Sequence, residues 1–114
     1  MKRVMVIALV SLIGVLHATG VHAQATGQIN GAVTDASGAL LPGVTVEATN
    51  VATGATRTAV SSADGLYTIP LLTPGVYTVK ASLQGFRTSQ RDAVRVTVTE
   101  TARVAFQLEV GQLS

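Results

Sequence analysis

From Gln28 onward apolar residues recur at every second position, and the runs are broken by Gly-, Pro- and Asp-containing pairs every ten residues or so. A period of two places successive side chains on opposite faces of an extended chain, so each run reads as a strand with one face buried. In Gln28–Asp35, Ile29, Gly31 and Val33 alternate with Gln28, Asn30, Ala32 and Thr34. Ser37-Gly38 makes a turn and Pro42-Gly43 sets the next strand, where Val44, Val46 and Ala48 oppose Thr45, Glu47 and Thr49. A second turn has Thr53-Gly54 at its tip, and the Thr-rich segment Ala55–Ser61 suits a short edge strand. Asp64-Gly65 predicts a hairpin, because both residues tolerate positive φ.

Further on, Tyr67 and Ile69 share a face, and Pro70–Gly75 is expected to loop out with its two prolines. Tyr77, Val79 and Ala81 form the next apolar face. Gly85-Phe86 interrupts the pattern, with Phe86 plugging one end of the core. Val94, Val96 and Val98 form another set, and in the last strand Val104, Phe106 and Leu108 lie opposite Arg103, Ala105, Gln107 and Glu109. The count is seven short strands, the rhythm of a β-sandwich, with a barrel as the other architecture open to it. No helix of useful length is predicted after residue 25.

The residues ahead of this pattern have a different character. Lys2 and Arg3 precede the apolar stretch Val4–Leu16, and Val21-His22-Ala23 and Ala23-Gln24-Ala25 both suit signal peptidase. The apolar run is shorter than the roughly 18 to 20 residues that span a bilayer. Residues 1–25 are therefore expected to be an export signal, cleaved after Ala23 or Ala25, and 26–114 a single domain. The signal accounts for much of the mean hydropathy of +0.45, and a lipoprotein is excluded because the chain has no Cys. A domain of this size buries about two-thirds of its unfolded surface, enough for one modest core.

Composition narrows the chemistry. Beyond Arg3, six basic residues (Arg57, Lys80, Arg87, Arg91, Arg95, Arg103) balance six acidic ones (Asp35, Glu47, Asp64, Asp92, Glu100, Glu109), so the overall +2 implies neither a nucleic acid nor any other polyelectrolyte partner. Both His residues, His17 and His22, fall in the export signal. Structural zinc sites and Ser-His-Asp or Cys-His catalysis need residues the remainder lacks. The expectation is no enzyme, no catalytic residues, no metal and no cofactor.

Candidate sites are few, and each has a plainer structural role. Asp35 and Asp64 are potential calcium ligands, but they stand alone, and Asp64 suits a turn cap. Tyr67 and Tyr77 are the only rings suited to stacking on a sugar, yet both sit in apolar phase and are expected in the core. Arg87, Arg91 and Arg95 would form a basic stripe were Asp92 not among them, so a solvated face is expected. Lys80 invites comparison with self-formed isopeptide bonds, but nothing places Asn30 or Asn50 beside it.

Five segments carry a family resemblance over nearly the whole region: Gly31–Gly38 with Leu41–Val46, Asn50–Gly54, Ser62–Ile69, Leu72–Val79, and Gly85-Phe86. In this order and spacing they resemble the carboxypeptidase regulatory-like domain. The resemblance implies a seven-stranded antiparallel Greek-key β-sandwich of the transthyretin (prealbumin) type, found beside metallocarboxypeptidase catalytic domains and in bacterial surface proteins, without catalytic residues of its own. The stretch Ala23–Gly31 and the ending Phe106–Ser114 further resemble Oar-like TonB-dependent outer-membrane receptors, in which this sandwich sits in the periplasm ahead of plug and barrel. The chain stops where a plug would begin. The expectation is an accessory domain with protein partners in the cell envelope of a Gram-negative bacterium, using Ala55–Ser61 for strand addition. The alternative is a secreted module binding carbohydrate or another surface polymer.

Overall fold

The computed structural model describes residues 25–111, so the expected export signal and its cleavage sites lie outside the described residues. Eight strands form: β1 (Gly27–Asp35), β2 (Thr45–Asn50), β3 (Thr56–Val60), β4 (Leu66–Leu72), β5 (Gly75–Ser82), β6 (Ser89–Val96), β7 (Thr101–Arg103) and β8 (Phe106–Leu108). No helix forms among the described residues. One sheet has the order β4-β1-β7, with β8 continuing along β1 beyond β7, and the other has the order β3-β2-β5-β6. The two pack face to face as a sandwich rather than closing into a barrel.

The alternating residues are what hold the sheets together. Ile29, Val33, Val44, Val46, Ala48, Ile69, Val79, Ala81, Val96, Val104, Phe106 and Leu108 are buried in one cluster with Tyr67, Tyr77 and Val94. Burial of this kind contributes about 25 cal/mol per Å² of apolar surface, and it compensates for the absence of disulfides. Phe86 packs half-buried against this cluster and bridges to Val110, closing one end as expected.

Four features differ from the expected pattern. The last predicted strand is broken in two at Val104-Ala105, and both halves run parallel to β1 (Gln28 opposite Thr101, Val33 opposite Phe106), so the sandwich is not purely antiparallel. Pro70 lies inside β4 rather than in a loop. That strand is a sheet edge, where a missing N–H costs no ladder bond, and a bulge with Leu71 at φ 58° turns Leu72 back into the core. Asp64-Gly65 turns the chain from β3 to β4, from one sheet to the other, so it is a crossover and not a hairpin. Val98 is exposed, because the chain has already left β6 for a turn in which Thr99 takes φ 60°.

The turn glycines behave as their sequence context predicts. Gly38, Gly43, Gly54 and Gly65 all have positive φ. Gly54 N–H donates to the Asn50 carbonyl at 2.8 Å, closing the tight β2–β3 hairpin, while Asn50 Oδ1 accepts from Ala52 and Thr53 N–H at 2.9 and 3.1 Å.

Candidate functional site

The two outer faces of the sandwich differ in chemistry. On the four-stranded face β3-β2-β5-β6, strand register sets Thr45, Glu47 and Thr49 beside Thr56, Thr58 and Val60 on one side and Thr78, Lys80 and Ser82 on the other. Six of these nine side chains carry hydroxyls, and none is an aromatic ring. On the other face, a groove of about 470 Å³ runs over β1 at the β7–β8 break. Asn30 and Ala32 of β1 form its floor, Leu66 and Thr68 of β4 one wall, and Arg103 and Ala105 the other.

The groove exists because of one peptide. Val104 turns its carbonyl into the core, where the Tyr67 hydroxyl donates to it at 2.5 Å. The space it enters is left by Gly31: a Cβ there would fall on the Val104 carbonyl oxygen and within 2.7 Å of its carbonyl carbon. Burial pushes the Tyr67 hydroxyl up to about 12, against the opposing pull of the Arg91 charge. Removing the hydroxyl orphans a buried carbonyl, so Tyr67→Phe is expected to cost about 1–3 kcal/mol at neutral pH, read by urea denaturation. The folded-state value lies above the unfolded one, so this stabilisation is complete below about pH 10. It is lost as pH rises through about 12. The gap between wild type and variant should close over that window.

The residues singled out from sequence are dispersed. Asp35 Oδ1 accepts from Ser37 Oγ at 2.6 Å, Ser37 N–H at 2.8 Å and Ala39 N–H at 3.0 Å. The Ser37 hydroxyl first, then the Ala39 N–H, holds this carboxyl below its ordinary value, and Asp35 is a turn cap. Asp64 is not the cap it was expected to be: the Ser62 hydroxyl accepts from Asp64 and Leu66 N–H at 3.2 and 3.4 Å instead. Among the described residues no three Asp or Glu gather into a cation site.

Tyr67 and Tyr77 are 2% and 3% exposed, so neither offers a ring face to a sugar. Tyr67 packs against Phe106 with centroids 6.3 Å apart. The Tyr77 hydroxyl donates to the Thr73 carbonyl at 2.7 Å, pinning the β4–β5 corner. Lys80 stands opposite Glu47 and Gln90, whereas Asn30 lies in the other sheet and Asn50 is spent on its own turn.

The three arginines form no stripe. Arg87 lies 4.0 Å from Glu109. Arg91 is opposite the buried Val79, so it leaves β6 on the core side. Its guanidinium sits over the Phe106 ring at 5.7 Å and donates to the Ala105 carbonyl at 3.0 Å, capping the open side of the sandwich. Arg95 faces the opposite way, beside Val76. The bulge at Asp92-Ala93, where Ala93 has φ 57°, changes the phase between the two arginines.

Residues 28–109 match the sequence pattern of the carboxypeptidase regulatory-like domain. The chain belongs to that family. No curated protein matches the chain. Among solved structures, this regulatory-like domain is similar to a chain of the type II cohesin–X-dockerin complex from Acetivibrio cellulolyticus, at TM-score 0.62 and 22% identity over 76% of this chain and 60% of that one. The minor pilin GBS52 of Streptococcus agalactiae matches at TM-score 0.61 and 15% identity, over 80% and 47% of the two chains. A candidate carbohydrate-binding protein from Bacteroides uniformis matches at TM-score 0.57 and 17% identity, over 71% and 40%. The regulatory-like domain thus spans less than two thirds of each of these chains. At such identities the likeness shows the sandwich fold, which also appears in the hydroxyquinol 1,2-dioxygenase of Pseudomonas putida at TM-score 0.58 and 11% identity.

Proposed function

We propose that this regulatory-like domain is a non-catalytic, exported recognition module that binds an extended polypeptide along β3, and that it serves as the periplasmic accessory domain of a TonB-dependent outer-membrane receptor. The observation that carries the recognition reading is the contrast among the four sheet edges. β4 is blocked by Pro70 and a bulge, β6 by a bulge with charged neighbours, and the β7–β8 edge by its break. Such devices keep sheet edges from pairing with other chains. β3 has no proline, bulge or break: Thr56–Val60 pairs with β2 in unbroken register, Arg57 is its single charge, and only Ala59 of its five side chains is partly covered.

The edge is also correctly poised. Asn50 N–H donates to the Ala55 carbonyl and Ser61 N–H to the Val44 carbonyl, so by alternation Arg57 and Ala59 bond to β2. Thr56, Thr58 and Val60 turn their N–H and C=O groups outward, ready for an added strand. A photo-crosslinking residue at Val60 is expected to capture a discrete envelope protein, and Thr58→Pro should abolish the adduct. That proline removes only an outward N–H, so the thermal midpoint should change by no more than a few degrees. Equal capture by wild type and Thr58→Pro would exclude the edge mechanism. The receptor context is tested separately by sequencing the source DNA past codon 114: an open frame leading into a plug and alternating barrel strands supports it, and a stop codon with no such sequence downstream removes it. The glycan alternative draws on the likeness to candidate carbohydrate-binding proteins, but with both tyrosines buried it lacks a stacking platform.

A further inference from the structure

The groove over β1 combines an apolar lining with donors that open on it. Along an extended strand, the main-chain groups of alternate residues leave by opposite edges. Val33 N–H donates towards β4, to the Gly65 carbonyl at 2.8 Å, and the Asn30 carbonyl accepts from Val104 N–H on the β7 side at 2.8 Å. Ala32 therefore aims its N–H towards the β7–β8 side, where a regular parallel ladder would supply the Val104 carbonyl. That carbonyl has turned under Gly31 to the Tyr67 hydroxyl. Ala32 N–H makes no hydrogen bond to Val104 or Ala105, the two residues at the break, and it opens on the groove.

Arg103 lies on the same face one strand away, opposite Asn30, and enters no ion pair among the described residues. No acidic residue lines the groove, so its electrostatic complement is an anion. Leu66, 54% exposed, with Ala32 and Ala105 supplies apolar walls, while the Asn30 carboxamide and the Thr68 hydroxyl offer partners for amide groups. A main-chain N–H beside a guanidinium is the pairing that receives a carboxylate through charge-assisted hydrogen bonds. A volume of about 470 Å³ lies within the range of small-ligand clefts.

We propose that this groove binds the C-terminal carboxylate of an extended peptide. The carboxylate is received by Ala32 N–H and the Arg103 guanidinium, and the last side chain lies against Leu66, Ala32 and Ala105. The alternation of apolar walls with Asn30 and Thr68 favours a peptide over a plain fatty chain, which would leave those two groups unpaired on binding.

The test is titration of the ¹⁵N-labelled chain with the tetrapeptide acetyl-Ala-Gly-Val-Leu as free acid, the same peptide as C-terminal amide, and decanoate. The Ala32 amide resonance is expected to show the largest shift with the free acid. The midpoint should rise at least tenfold for the amide, for Arg103→Gln and for decanoate. Leu66→Ser should weaken binding of both peptides alike, and Thr58→Pro should leave it unchanged, which separates this site from the β3 edge. Arg103 is exposed, so a dispersed spectrum should show that its variant remains folded. Equal response to acid and amide, no movement of Ala32, unchanged binding by Arg103→Gln, or tighter binding of decanoate would each overturn the proposal.

Discussion

Gly31→Val should destabilise the domain by about 3–4 kcal/mol, combining an overpacked core with a displaced buried hydrogen bond. Domains of this size have about 5–10 kcal/mol in total. The midpoint of thermal unfolding should therefore fall by about 15 °C or more, a loss readable by circular dichroism. The cause is specific. The new Cβ would occupy the position of the Val104 carbonyl oxygen and lie 3.2 Å from Tyr67 Cε1, and both are held by their mutual hydrogen bond. Neither is the free end of a flexible side chain, so relief requires the β7–β8 break to be rebuilt. Gly31→Ala should already cost a large part of this, because the Cβ alone makes the clash. A change of less than about 0.5 kcal/mol, typical of uncommitted surface sites, would show that the Val104 peptide can turn back into a regular ladder.

Gly65→Val should cost about 2–4 kcal/mol, for two reasons that a control can separate. Gly65 has φ +72°, where a β-branched residue is strained by about 1–2 kcal/mol. Its Cβ would also approach Leu40 Cβ at 2.9 Å, the Val33 carbonyl at 3.0 Å and Leu41 N–H at 3.1 Å. Gly38 shares the positive φ, at +90°, but has no atom within 4 Å of an added Cβ. Gly38→Val should therefore show the backbone cost alone, and the excess for Gly65→Val in urea denaturation measures the steric part. Equal losses at the two sites would mean that the close approach of Leu40 and Val33 relaxes freely.

Much of the core was legible because it depends on a local period. Every apolar residue placed inward by alternation in Gln28–Asp35, in Val44–Ala48 and in Tyr77–Ala81 is buried, apart from the half-buried Gly31. Leu72 was missed and Val98 misplaced for one reason: a bulge or a strand end changes the phase by one residue. The signal at Pro70-Leu71 reads as a loop, since a proline argues against a strand unless that strand is known to be an edge. Edge position is a property of the sheet, not of the segment.

The groove was illegible on other grounds. Asn30, Leu66, Thr68 and Arg103 belong to three strands far apart in sequence, and singly each reads as an ordinary outward-facing residue. The residues that stand out in sequence, Asp35, Tyr67, Tyr77 and Arg91, cap a turn, fill the core or guard its rim, while Arg87 lies beside Glu109 and Arg95 faces outward. Gly31 was assigned only to the apolar phase. Its role in admitting the Val104 carbonyl depends on Tyr67, thirty-six positions later, and on Val104 later still.

By itself, then, the sequence determined the all-β class, which side of most strands faces inward, and where the chain must turn. Those properties rest on side chains, through the hydrophobic period of two and the tolerance of glycine for positive φ. Only the tertiary structure decided which strand lies beside which, that β1 takes parallel partners, which edge is left open, and which main-chain donor opens on the groove. Strand pairing is made by N–H and C=O groups that nearly every residue carries alike. Their partners are selected when the two sheets close over a common core, not by any label in the local sequence.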